Sequence, residues 1–171
     1  RTCVVTGGSV ERVLNIAYET CPDVVQLHYN ETLEEVAEIS RKLQLRGIKT
    51  VKALRINANG KCNFEITHPA AAARELSGTG IWAILADSCT DERPGGTGIM
   101  VDITTYRIIQ KESAVPVILA GGINPGNILP ILHEVHPCAV DILTGSEAER
   151  GRKGPKKIRK IMSAISMCNT N

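Results

Sequence analysis

Aromatic residues are scarce in this chain. They make up 3% of 171 residues, with one Trp and one Phe among them. That is too few for the stacking platforms on which single-stranded nucleic acids are held. Long apolar runs are also missing. The stretch 115–120, VPVILA, is among the longest, against the roughly 20 residues that a membrane-spanning helix needs. Nor is there an excess of one charge. Twenty Lys and Arg against 18 Asp and Glu leave a formal net charge of +2, which creates no field toward nucleic acid or an anionic membrane. The basic residues between Arg150 and Lys160 read as a solvated helix face. Six cysteines are present, but no two form a C-x-x-C pair and none has zinc-type spacing with a histidine, so no metal site is expected. They read as free thiols of a cytoplasmic protein, with a structural disulfide as the minor alternative. Residues 1–8, RTCVVTGG, carry no signal-peptide pattern.

What is present is a regular alternation. The chain is 43% hydrophobic, and its length suits one domain with a real core. Strand-like runs are predicted at 2–6, 24–28, 48–54, 81–86, 115–120 and 139–143. Helices are predicted at 10–19, 32–45, 69–76 and 102–111, from Asn124-Pro125 onward, and from Pro155. Ser9 is a candidate N-cap, Thr32 and Glu35 form a capping-box pair, and Pro69 suits a first helical position. Pro130, inside the fifth helix, should bend or shorten it. In the last helix Ile158, Ile161, Met162 and Ile165 fall at helical spacing and are expected to form one buried stripe. Six βα units without a break predict an α/β fold on a parallel sheet, with strands buried on both faces.

In such folds the ligand sits beyond the C-terminal ends of the strands. The residues found there are Gly7-Gly8, His28, Leu54-Arg55, Asp87, Gly121-Gly122 and Thr144-Gly145. Glycines in the last two turns let backbone N–H groups approach an anion without Cβ hindrance; ordinary strand-ending turns are the plain alternative. Thr144 can add a hydroxyl, and a helix N-terminus adds partial positive charge. Asp87 ends an apolar strand, where loss of solvent would raise its pKa and suit it to donate a proton; an N-cap or turn role is the plain alternative. Gly95-Gly96-Thr97-Gly98 reads as a lid or an ordinary flexible loop. His28 can contact substrate or hold a neighbouring loop. Asp141 interrupts an apolar strand, which is unfavourable unless it is paired or faces the site.

Five segments occur in an order and spacing that resemble the phosphoribosylanthranilate isomerase family: Val25-Gln26-Leu27-His28, Leu85-Ala86-Asp87-Ser88, Gly95-Gly96-Thr97-Gly98, Ala120-Gly121-Gly122-Ile123-Asn124-Pro125, and Val140-Asp141-Ile142-Leu143-Thr144-Gly145. The resemblance runs from about Thr2 to Ile165. It implies a TIM (β/α)8-type phosphate-binding barrel, of which this chain would supply strands three to eight as one partial domain. It also implies an Amadori rearrangement of a phosphorylated small molecule in tryptophan biosynthesis, without metal or organic cofactor. Asp87 matches the family's general acid. Gly121, Gly122, Thr144 and Gly145 match its phosphate loops. Asp141, His28, Gly96 and Gly98 fall near the substrate.

The sequence departs from the family pattern in three respects. The family's catalytic cysteine ends its first strand, and its arginine for the anthranilate carboxylate follows the second; neither strand has a counterpart in this chain. Cys3 lies within the third strand and is not that cysteine. Leu143-Thr144 replaces the usual Ser-Ser, and Val101-Asp102-Ile103 the usual Phe-Asp-Trp. The expectation is an isomerase whose residues 1–171, alone, are inactive or very weak. Exposed strand edges would then favour a homo-oligomer or completion by another chain. The competing readings are another phosphate-barrel synthase and a non-catalytic phosphate-binding or assembly protein.

Overall fold

In the computed structural model, residues 1–88 and 103–168 are described. Six parallel strands, β1 (Cys3–Thr6), β2 (Val24–Leu27), β3 (Lys49–Ile56), β4 (Ala83–Ser88), β5 (Val117–Ala120) and β6 (Ala139–Asp141), lie side by side in sequence order. Helices α1 (Val10–Thr20), α2 (Leu33–Gln44), α3 (Pro69–Ser77), α4 (Ile103–Glu112) and α5 (Ile128–Val135) alternate with them, and α6 (Pro155–Cys168) ends the described chain. The result is a curled half-barrel of the TIM type. Its curl is felt electrostatically: the charge of Asp141 on β6 reaches Cys3 on β1.

Local sequence explains most of the boundaries. Ser9 caps α1, its Oγ accepting from Arg12 N at 3.3 Å. Thr32 and Glu35 form the capping box of α2, with bonds of 3.2 and 2.8 Å to each other's backbone N–H. Pro69 opens α3, where a missing N–H breaks no helical bond.

The strands sort their side chains by parity. Toward the helices, Val25, Leu27, Leu54, Ile84 and Leu119 join the large core with Ile39, Leu43, Leu76 and Tyr106. Toward the inside of the curl, Val51, Ala53, Ala83, Leu85 and Ala120 form a smaller cluster, flanked by Val24 and Ile118.

Several expectations need correction. β3 runs to Ile56 rather than to residue 54, because a bridge from Ile56 to Cys62 and a 2.7 Å bond from Asn63 N to Arg55 O prolong its order. β6 stops at Asp141, since residues 142–143 leave the sheet for a 3-10 turn, Thr144–Ser146. There Ser146 Oγ donates to Leu143 O at 2.8 Å. The turn leads into a short hairpin, β7 (Glu147–Glu149) with β8 (Arg152–Lys153), which the sequence reading lacked. α5 begins at Ile128, not Asn124. The Asn124 side chain accepts from Gly126 N and the Asn127 side chain from Asn124 N, each at 2.8 Å, and these local bonds hold a turn in place of a helical start. Pro130 therefore lies in the first helical turn, where its missing N–H has no effect on the ladder, and no bend is required. The stripe on α6 is only partly buried: Ile161 and Ala164 are buried and Ile165 packs at the core's edge, while Ile158 and Met162 are 38% and 55% exposed.

Candidate functional site

Four residues share one row across the C-terminal end of the sheet. Arg55 is in register with Asp87, Asp87 with Ala120, and Ala120 with Asp141. In a parallel sheet, residues in register share a face. This row continues the parity of Ala53, Leu85 and Ile118, so it faces the inside of the curl. Asp87 is half-buried there, with 22% of its side chain exposed, and its Oδ2 lies 4.0 Å from His28 Nε2. That separation suits an electrostatic pair or a water bridge rather than a direct hydrogen bond. Burial raises the Asp87 carboxyl above the usual carboxylate value. His28 opposes that rise, Asp141 adds to it, and Arg55 opposes it. His28 Nδ1 is buried with no hydrogen-bond partner among the described residues.

Ala120 runs directly into Gly121 and Gly122, whose φ values are 89° and 62°. L side chains seldom adopt these angles, so glycine is needed where the chain turns back over the strand end. The Gly122 carbonyl accepts from Asn127 Nδ2 at 3.0 Å and from Asn124 Nδ2 at 3.2 Å, which fixes the turn ahead of α5. The turn after β6 lies directly against it. A Cβ on Gly145 would collide with the Ile123 carbonyl and lie 3.0 Å from Asn124 Cα. Only glycine at 145 lets the two turns approach this closely. Thr144, beside it, is exposed. The structure thus brings together Asp87, His28, Asp141, Gly121, Gly122, Thr144 and Gly145 at one end of the sheet. Gly96 and Gly98 lie outside the described residues.

The family model described as N-(5'phosphoribosyl)anthranilate (PRA) isomerase matches residues 2–164. The chain belongs to the phosphoribosylanthranilate isomerase family. The N-(5'-phosphoribosyl)anthranilate isomerase of Methanosarcina acetivorans is 32% identical over 153 residues, which are 89% of this chain. This chain spans 64% of that relative's length. The Methanosarcina mazei isomerase 1 is 31% identical over 92% of this chain and 68% of its own. The crystal structure of the Thermotoga maritima isomerase superposes with a TM-score of 0.74 at 26% identity, covering 96% of this chain and 72% of that one. A 3-hexulose-6-phosphate synthase from Salmonella typhimurium reaches a TM-score of 0.70 at 16% identity, which shows that the fold extends beyond the isomerase family.

The sequence reading placed Arg55 at a strand end without a role; it is a residue of β3 in register with Asp87, and one of its Nη atoms donates to Asn30 Oδ1 at 3.3 Å. One further feature escaped that reading. Beneath the mouth, on the helix-facing side of the sheet, Lys52 Nζ donates to Glu31 Oε2 at 2.6 Å and to the Tyr29 carbonyl at 2.7 Å. Glu31 Oε1 accepts from Gly8 N at 3.2 Å, and a Cβ on Gly7 would collide with that same oxygen. One buried ion pair therefore ties β3 to the turns after β1 and β2, the second of which carries His28.

Proposed function

We propose that the protein catalyses the Amadori rearrangement of N-(5′-phosphoribosyl)anthranilate to 1-(2-carboxyphenylamino)-1-deoxyribulose 5-phosphate, as a cytoplasmic enzyme of tryptophan biosynthesis. In this reading β1–β6 correspond to the third to eighth strands of the family barrel. Family membership supports this reading, and one geometric relationship carries it. Asp87 is in register with Ala120, the residue directly before Gly121-Gly122. A ligand whose phosphate rests on the two glycine turns therefore has its sugar within reach of the carboxyl.

The phosphate accepts from backbone N–H groups of the turns at Gly121-Gly122 and Thr144-Gly145, which need no side chain between them and the anion. Asp87 then protonates the ribose ring oxygen. Its raised pKa keeps more of it protonated near neutral pH than an exposed aspartate would manage. The C1–O bond breaks and the anilino nitrogen's lone pair forms the C1=N iminium. Loss of the C2 proton gives the enol. Proton transfer from the enol oxygen and to C1 leaves a ketone at C2 and a CH2–NH group at C1. Oxidation at C2 balances reduction at C1, so no external oxidant or cofactor enters. Cys3 is not assigned as the base, because burial and the Asp141 charge raise its thiol pKa and disfavour the thiolate.

The test is Asp87→Asn in the intact protein. Turnover should fall by roughly 10²- to 10⁴-fold, with binding of inorganic phosphate or a product analogue retained. Unchanged turnover would remove Asp87 from the acid role.

A further inference from the structure

The mechanism leaves two buried charges near the mouth without a task. Lys52 and Glu31 form a pair that apolar side chains of similar size could often replace without loss of stability. Their hydrogen bonds end on two turns. Lys52 Nζ donates to Glu31 Oε2 and to the Tyr29 carbonyl, and Glu31 Oε1 accepts from Gly8 N. Tyr29 directly follows His28. The N–H of His28 is itself held, donating to Thr6 O at 3.0 Å. The ring of His28 has less to fix it. Its Nδ1 is buried with no hydrogen-bond partner among the described residues, and its Nε2 lies 4.0 Å from Asp87 Oδ2. The place of the ring beside Asp87 is therefore set by the backbone that carries it.

That backbone is gripped from both faces of the sheet. Lys52 acts from the helix side of β3, and Arg55, on the inner side, donates to Asn30 Oδ1. Gly7 closes the clamp. A Cβ there would collide with Glu31 Oε1 and lie 2.7 Å from Tyr29 Cβ, so the turn after β1 lies flush against the turn after β2. Electrostatics separates the groups that act on Asp87 from those that hold the turn. The charges that move the Asp87 carboxyl are His28 from the turn after β2, Asp141 from β6 and Arg55 from β3. Those that move Lys52 are Glu31, Arg55 and Glu35. Lys52 and Glu31 are not in the first set, so their influence on the acid runs through the position of another group.

We propose that Lys52 and Glu31 are positioning residues of the site, which hold the turn 28–31 so that the His28 ring stands beside Asp87. Its effect on rate rests on the isomerase reading; the placement of His28 does not.

The experiment uses the intact protein and two perturbations of the turn. Lys52→Met combined with Glu31→Leu removes the clamp and leaves no lone buried charge. Gly7→Ala pushes the same turn from the other side and changes no charge; it decides the matter if urea unfolding shows that the double variant is not folded. The first readout is the pH dependence of kcat/KM. His28 lowers the Asp87 pKa, so displacing its ring should move the descending limb to higher pH, as far as His28→Gln moves it. Adding His28→Gln to either variant should move the limb no further. The second readout is the NMR signal of the His28 Cε1 proton. In the unaltered protein it should show an additional inflection at the titration of Asp87, absent from Asp87→Asn, and the turn variants should lose it. An unmoved limb in the folded double variant, or an equal shift in the His28→Gln background, would overturn the positioning role and leave the isomerase reading standing. Absence of turnover in the unaltered protein would overturn the isomerase reading instead. The NMR signal then decides the positioning role alone: no additional inflection in the unaltered protein, or its survival in the folded double variant, would overturn it.

Discussion

Lys52 and Glu31 form an ion pair of 2.6 Å with 1% and 0% of their side chains exposed. Both charges are out of water, so each depends on the other and on the groups around them. Burial lowers the pKa of Lys52, and the hydrogen bond and charge of Glu31 oppose that shift. A pair of this kind contributes little net stability over an apolar substitute, but removing one partner leaves the other charge buried and unpaired. Its value here is geometric, because β3 and the turns after β1 and β2 all meet at it.

Lys52→Met alone should therefore destabilise the fold by about 3–5 kcal/mol. The double variant Lys52→Met with Glu31→Leu should recover much of that loss. Urea unfolding of the two variants checks this. A loss below about 1 kcal/mol in the single variant would mean that the pair is solvated and does not hold the mouth.

Gly145→Ala separates close approach from backbone strain. Its new methyl would meet the Ile123 carbonyl and Asn124. Parting the two turns should cost roughly 1–3 kcal/mol of stability and abolish tight phosphate binding. Gly151→Ala is the control. It has φ of 79° but nothing within 4 Å of the added atom, so it should show strain of about 1 kcal/mol and unchanged ligand affinity. Calorimetry with inorganic phosphate and with the reduced product analogue reads both. Equal affinity in the two variants would separate the 123–145 contact from ligand binding.

The candidate site was legible because it is built from strand ends. Asp87, Gly121-Gly122 and Thr144-Gly145 each follow or close an apolar run, and in a parallel sheet every such end falls on one rim. The strand that carries Arg55 was read two residues short at its C-terminal end. The pairing that extends β3 comes from β4, at Asp87 and Ser88, and from Cys62 and Asn63, and no local pattern in KALRI announces it. The Lys52–Glu31 pair was invisible for another reason. Its members are 21 residues apart, and a lone Lys or Glu is by default a surface residue. The delayed start of α5 depended on whether Asn124 and Asn127 would bond to nearby backbone, an outcome that the NPGN sequence permits either way. Exposure of Ile158 and Met162 could not be read from spacing, since the periodicity of α6 identifies an apolar face but not the extent of the surface that covers it.

Stability should carry the mark of Asp87. Its carboxyl titrates above the usual value of 3.8 in the folded protein, chiefly because of burial. Between the unfolded and folded pKa values the native state holds the extra proton. Stability therefore falls as pH rises through that window. The isosteric Asp87→Asn variant removes the buried charge, so it should be more stable than the unaltered protein at pH 7. The difference should vanish at pH values below 3.8, where both side chains are neutral. Denaturation at the two pH values tests this. A variant less stable at pH 7 would show that the ionised carboxylate is held by favourable contacts.

The charges around Asp87 should move its titration in opposite directions. His28 and Arg55 lower its pKa and Asp141 raises it; Cys3, also within reach of Asp141, has a raised pKa and stays a neutral thiol near neutrality. If Asp87 is the acid, the rate falls as pH climbs past its pKa. His28→Gln should then shift that descending limb to higher pH, and Asp141→Asn should shift it to lower pH. The pH dependence of kcat/KM in the intact protein reads both. A change in rate without a change in the limb would assign His28 and Asp141 to substrate contact alone. A shift of both limbs in one direction would mean that the titrating group is not the carboxyl flanked by these two residues.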